Sequence, residues 1–301
     1  MRDLDLTTLR LFVTVCETGN ISRAGELANI VGSAISKRLS QLEELVGTPL
    51  LARKRHGVQP TAAGRTLLEH ARSMLATAAS IERDMEAFAA GARGHVRILA
   101  SASALAESLA QDIANFLHQR GHSRIQVDLE ERVSPDIVRG IHDGTASLGV
   151  CWDAADIGPL QSHRYRVDEL AVVVPRGHAL ALRKRVKFED TLPFEHVSLP
   201  VNSAVQVLLQ REAARLGQKF HHRVVVTNFE AALRVVRAGL AICLVPREVA
   251  AIYADAYQIR TLPLAEPWAK RRFIIVHRDE ATLTPAAQLL LKHLASQAPA
   301  S

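Results

Sequence analysis

"SAISKRLSQLEEL", residues 33–45, decides how the N-terminal part of the chain is read. Ile35, Leu39 and Leu42, with Val46 just beyond, recur at helical spacing and make one stripe for burial. Ser33, Ser36, Lys37 and Ser40 fall on a different face, which is small, hydroxylic and basic. A face that is merely solvated usually carries longer side chains of mixed charge; small hydroxyls let a helix approach a surface closely.

Upstream, Leu6, Leu9, Val13 and Cys16 share the same periodicity, so residues 6–17 are expected to be helical up to the Gly19-Asn20 breaker. A second short helix is expected with Ser22 as its N-cap. It carries "RAGELAN", where Ala24 and Ala28 are small enough for another helix to cross closely. Four residues, 29–32, then lead into the 33–45 helix, which makes a helix-turn-helix pattern. In "LLARKRHGVQP", residues 50–60, two short extended pieces flank a turn at His56-Gly57, and Arg53, Lys54 and Arg55 stand together on it. Beside a helix-turn-helix, a basic hairpin is what a wing looks like. Its cations would neutralise phosphates. The 33–45 helix would lie in the major groove, with Ser33, Ser36 and Ser40 at base edges and Lys37 reaching a base or a phosphate.

Composition agrees with such a partner. The net charge of +6 and a pI near 9.5 favour a polyanion. With 301 residues the chain can build two or more domains, and 48% hydrophobic against 23% charged residues is the balance of a globular protein. The three cysteines, Cys16, Cys151 and Cys243, form no CxxC pair and sit in apolar runs. They read as small buried hydrophobes in a reducing compartment; the alternative is a redox-sensing pair of Cys151 with Cys243. "MRDLDLTTLR" has acids where a signal peptide needs an apolar core, and no apolar run approaches the roughly 20 residues of a membrane span. A cytoplasmic protein is expected.

From Thr61, a good N-cap, to residue 90 there is no proline and one glycine, Gly64. Leu67, Ala71, Met74, Ala78, Ile81, Met85 and Phe88 alternate at spacings of four and three, a heptad seam expected to pair with the same helix of a second copy in a homodimer. After "GARG", residues 91–94, strand-like and helical runs alternate: "VRILAS", "IQVDLE" and "LGVCW" in one block, then "LAVVVP", "HVSLP", "RVVVTN" and "AICLVP" in another, and finally "FIIVH" before a helix from Thr284-Pro285. The alternation predicts parallel sheet with helices on its faces, in two halves with a ligand cleft between them. Ser101, Ser103, Asn202, Ser203, Thr227 and Asn228 occupy strand-to-helix turns. They read either as ordinary N-caps or as ligands of an anion at helix N-termini.

At this point the chain resembles the LysR-type transcriptional regulators. The resemblance rests on residues 9–64, where Phe12, Ala24, Ala34, Ser36, Leu42, Glu43, Gly47, Leu50, Arg53, Thr61 and Gly64 match the family, and on "VVVPRGHALA" and "RAGLAICLVP" downstream. It implies an α/β architecture. An N-terminal winged helix-turn-helix DNA-binding domain (residues 1–65) leads into a long dimerising linker helix (66–92). A two-subdomain, periplasmic-binding-protein-like effector domain follows (93–301), with subdomain I over 95–167 and 271–301 and subdomain II over 168–270. It also implies tetramers on double-stranded promoter DNA and a small-molecule co-inducer in the cleft; no cofactor, metal or catalytic residue is expected. By position, Ser33, Ser36 and Lys37 match the DNA-reading helix, Arg53 the wing, and Ser101, Ser103, Ser203 and Thr227 the effector pocket. Val31-Gly32-Ser33 departs from the family's Ser-Gln-Pro or Ser-Gln-Ser, so the operator preference is expected either to differ or to rest more on the wing and on DNA shape.

Two other classes compete. In a solute-binding module the N-terminal part would serve only oligomerisation, against which the basic hairpin and the polar helix face argue. For an enzyme there is no GxSxG, HExxH, P-loop or GxGxxG, and the adjacent His221-His222 would point to opposite faces of a strand.

Overall fold

The computed structural model describes residues 4–54, 57–89 and 94–299. Two compact units make up the chain: Met1–Glu86 with His142–Thr145, and Ala87–Ile141 with Ala146–Ser301.

The first unit opens with α1 (Leu6–Thr18), whose N-cap Asp5 accepts from the Thr7 and Thr8 amides, and which ends at Gly19. For α2 (Ile21–Ala28) the expected cap was Ser22; the cap is Asn20, two residues earlier, whose Oδ1 accepts from Ser22 N at 2.8 Å and Arg23 N at 3.1 Å. Ser22 is thus a helix residue whose own amide is capped. In the turn into α3 (Gly32–Val46), a Cβ on Gly25 would stand 2.5 Å from the Ile30 carbonyl oxygen, so the tight connection requires glycine there. Phe12, Val15, Ala24, Ile35, Leu39 and Leu42 form the core with Leu50 and Val58. β1 (Leu51–Lys54) and β2 (Gly57–Pro60) pair antiparallel as the wing. Three hydrogen bonds hold its base in place: Glu43 Oε1 of α3 accepts from the Leu50 and Leu51 amides at 2.7 and 3.0 Å, and Val58 N donates to the Gly19 carbonyl at 2.9 Å.

Helix α4 (Ala62–Ala89) starts at Thr61, whose Oγ1 accepts from Gly64 N at 3.0 Å. The expected uninterrupted seam divides. Leu67 packs on the core of its own N-terminal domain and Ala71 is buried, whereas Met74, Ile81 and Met85 are exposed. Ala78 is half-buried, and the Phe88 side chain lies outside the described residues.

The second unit is α/β. β3 (Gly94–Ala100) leads into an unbroken helical run: α5 (Ala102–Ala104), a π-helical turn (Leu105–Leu109) and α6 (Ala110–Leu117). β4 (Ile125–Glu131), α7 (Ser134–His142) and β5 (Leu148–Trp152) complete the first block. β6 (Gln161–Pro175), β7 (His196–Ser198), α8 (Ala204–Arg215), β8 (His222–Val225), α9 (Phe229–Arg237), β9 (Cys243–Pro246), α10 (Arg247–Tyr253) and β10 (Ile259–Pro263) follow. The chain then runs through β11 (Lys270–His277) and α11 (Pro285–Ala295).

The expectation of parallel sheet holds for only part of this. β3 pairs parallel with β4 and β5, and β7 with β8. β6 and β11 are antiparallel to their neighbours, in the order β10-β6-β11-β5-β3-β4 with β9 also on β6. The cause is that β6 is one 15-residue strand. Its first part pairs with β11, and its last part pairs with β9 and β10. The first half packs Val96, Ile98 and Ala100 of β3 with Phe116, Leu290 and Leu294 on one face. Leu99, pointing the other way as the strand period demands, packs with Ile137, Ile141 and Val276. The second half has its own core around Val172, Leu208, Leu233 and Leu244.

Candidate functional site

In α3 the buried stripe Ile35, Leu39 and Leu42 leaves Ser33, Lys37 and Ser40 exposed on the opposite side, with Ser36 half-buried at its edge. Gln41 is also exposed there and is not among the residues expected from the sequence, although the helical repeat alone adds it; Val31 is exposed at the start of the helix. Arg38 is on another face, tied to α1 by a 3.2 Å ion pair with Asp5. Lys54 is exposed on the wing. The Arg53 side chain and the whole of Arg55 lie outside the described residues.

In the second unit a cavity of about 510 Å³ separates the two halves. All six predicted turn residues, Ser101, Ser103, Asn202, Ser203, Thr227 and Asn228, line it. So do the starts of the 102–117 helical run, α7, α8 and α9, and helix starts carry free N–H groups and a partial positive charge. Their side chains differ in what they do. Ser203 Oγ accepts from Gln206 N at 3.3 Å and Asn228 Oδ1 from Ala231 N at 2.9 Å, so both cap their own helices. Ser101 caps nothing: it is 5% exposed, and its buried Oγ has no hydrogen-bond partner among the described residues. Ser103 beside it is buried too.

The remaining wall is largely apolar, with Leu105, Ala106, Leu199, Val205 and Phe229. Ser134, at another strand-to-helix turn, also lines the cleft; the rule that picked out Ser101 would have picked it out from "RVSPD". At the rim Arg132 pairs with Glu130, which also binds Arg97 at 2.5 Å; that hydrogen bond holds the Glu130 carboxyl below its usual range.

The family model described as a bacterial regulatory helix-turn-helix protein of the lysR family matches residues 6–65. The model of the LysR substrate binding domain matches residues 89–299. The chain belongs to the LysR family. It is a LysR-type DNA-binding transcriptional regulator with an effector-binding domain, which sets aside the reading as a solute-binding module.

Among LysR relatives, the RuBisCO operon transcriptional regulator of Allochromatium vinosum is 24% identical over 295 residues, covering 98% of this chain and 97% of that one. The solved structure of full-length CbnR with its target DNA has a TM-score of 0.66 at 23% identity, covering 98% of this chain and 100% of that one. The effector-binding domain of QuiR, solved with shikimate, has a TM-score of 0.60 at 17% identity, covering 67% of this chain and 96% of that one.

Within this LysR-type chain Cys151 and Cys243 are buried and Cys16 is half-buried. Burial pushes the Cys16 thiol up to about 11 and Cys151 to about 12, and raises Cys243 as well. Cys151 and Cys243 sit in different hydrophobic clusters, so the buried-hydrophobe reading fits them and the redox pair does not. Among the described residues no group of three or more His, Cys, Asp or Glu is placed to hold a metal ion. Among the same residues no helix is long and apolar enough to cross a membrane.

Proposed function

We propose that this regulator works in the cytoplasm as a homodimer joined through α4, and as a tetramer of two such dimers. It reads promoter DNA with α3 and the wing, and it is switched by a small anionic effector held in the cleft. On α3, Ser33, Ser36 and Ser40 would meet base edges and Lys37 a base or phosphate; Arg53, Lys54 and Arg55 would neutralise phosphates. The exposed Met74, Ile81 and Met85 support the pairing of α4 with a second copy. CbnR, solved on its target DNA, supports the DNA reading, and QuiR, whose ligand is the carboxylate shikimate, supports an anionic effector.

One observation carries the effector reading: the idle, buried Ser101 Oγ at the start of the 102–117 helical run. A buried hydroxyl without a partner costs about 1–3 kcal/mol. A carboxylate there would take its hydrogen bond and the free amides of the first turn, which also favour negative charge. The apolar wall opposite suits the body of a ligand whose charge is concentrated at one end.

The test of the regulator reading is fluorescence anisotropy with the full chain, using duplex from upstream of its own gene against a scrambled duplex over a salt series. The expected result is preference for the native duplex, with affinity falling steeply as salt rises. Lys37→Glu should remove that preference with an unchanged melting temperature. Unaltered affinity in that variant would reject α3 as the reading helix.

A further inference from the structure

Two adjacent residues at the start of α3 are not explained by the fold. Val31 is the N-cap, with φ −64° and ψ 138° and no side-chain capping bond; its carbonyl accepts from Ala34 N at 3.0 Å and Ile35 N at 3.3 Å. The side chain is therefore not needed for the backbone geometry, and it is 70% exposed, so it adds little to the core. Serine, threonine, aspartate or asparagine at this position would cap the helix. Gly32 follows. A Cβ placed there would meet only Ile21 Cγ2 at 3.8 Å and Ser22 Cα at 4.0 Å, which are ordinary contacts, and its φ is not positive. Alanine would fit and would favour the helix. Each position thus gives up helix stability at the same end of the same helix, directly before the exposed Ser33.

In a helix-turn-helix the first residues of the second helix approach the base edges most closely. The major groove offers one apolar feature to such a residue, the C5-methyl of thymine. We propose that Val31 is a specificity-determining residue that packs its isopropyl group on a thymine methyl in each half-site, with side-chain-free Gly32 allowing the backbone to come close. This inference rests on α3 being the DNA-reading helix. It assigns the position a base class, thymine or its methylated analogue 5-methylcytosine, and a mode of reading without hydrogen bonds. Discrimination there comes from burying one methyl group, worth about fourfold in affinity.

The experiment selects bound fragments from a genomic library with the full-length protein, footprints one, and replaces its thymines singly by deoxyuridine. Wild type should lose about fourfold in affinity at one thymine of each half-site and little elsewhere. Val31→Ser, which supplies a cap and so keeps the helix, should bind the native and uracil duplexes equally at that position. Replacing that thymine by 5-methylcytosine should retain more affinity than replacing it by cytosine. If wild type tolerates every uracil substitution, or if Val31→Ser shows the same penalty as wild type, the methyl contact is overturned. A protein that selects no fragment would overturn the DNA-reading assignment itself, a different outcome from binding that ignores the methyl.

Discussion

Three polar side chains at helix starts along the cleft look equivalent in the sequence, and they are not. Ser203 and Asn228 spend their oxygens on Gln206 N and Ala231 N, while the Ser101 oxygen has no such bond. Asn228→Ala should lower stability by about 1 kcal/mol through loss of the cap. Ser101→Ala removes a hydroxyl that is buried without a partner, so stability should hold or rise; its effect should fall on the effector response, about tenfold or more in the concentration required, because a hydrogen bond to a charged group is lost. Urea denaturation of both variants, followed by inducer titration in a reporter strain, separates the two roles. A Ser101→Ala protein destabilised as much as Asn228→Ala would make Ser101 a structural residue. Spacing places hydroxyls at turns; whether an oxygen is already used depends on the backbone angles of the next three residues, which periodicity does not report.

Single elements were easier to read than their contacts. α3 and α4 follow from periodicity because one face of each must be buried. But the periodicity of α4 predicts one continuous seam, whereas Leu67 belongs to the domain the helix grows from. β7 hides a titration that the sequence does not signal. His196 is buried, its ring tilted against Phe220 with centroids 4.5 Å apart, and it lies 3.3 Å from Thr191 Oγ1; burial lowers its pKa from 6.5 to about 4. Between those values the unfolded chain binds a proton that the folded chain does not, so stability rises with pH there. The contribution is complete above 6.5 and lost as pH falls toward 4, roughly 3 kcal/mol over the window. His196→Gln should flatten the fall in denaturation midpoint between pH 6.5 and 4. It should not abolish it, since burial lowers His178 and His277 as well. An unchanged slope would mean His196 is protonated in the folded state.

At the scale of the effector-binding unit, the β-α alternation showed two halves, and it could not show how the chain passes between them. The partners of β6 are about 70 to 115 residues away, and nothing in a local pattern names a partner at that separation. Where β6 and β11, paired antiparallel, pass from one half to the other, Asp168 and Arg271 are direct register partners and both are buried. Arg271 Nε donates to Asp168 Oδ1 at 2.9 Å and Nη2 to Oδ2, and its Nη1 has no partner among the described residues. A buried pair of this kind adds little net stability, yet losing one member leaves a charge in a medium that cannot solvate it. Asp168→Asn should therefore cost about 3–5 kcal/mol, a drop of roughly 10 °C in melting temperature for a unit of this size. The double variant Asp168→Leu with Arg271→Met removes both charges and should recover most of that loss. Calorimetry of the wild type, the single and the double variant decides it. A single variant that melts within about 2 °C of wild type would show that water reaches Arg271, and that the two halves are joined by the strands alone.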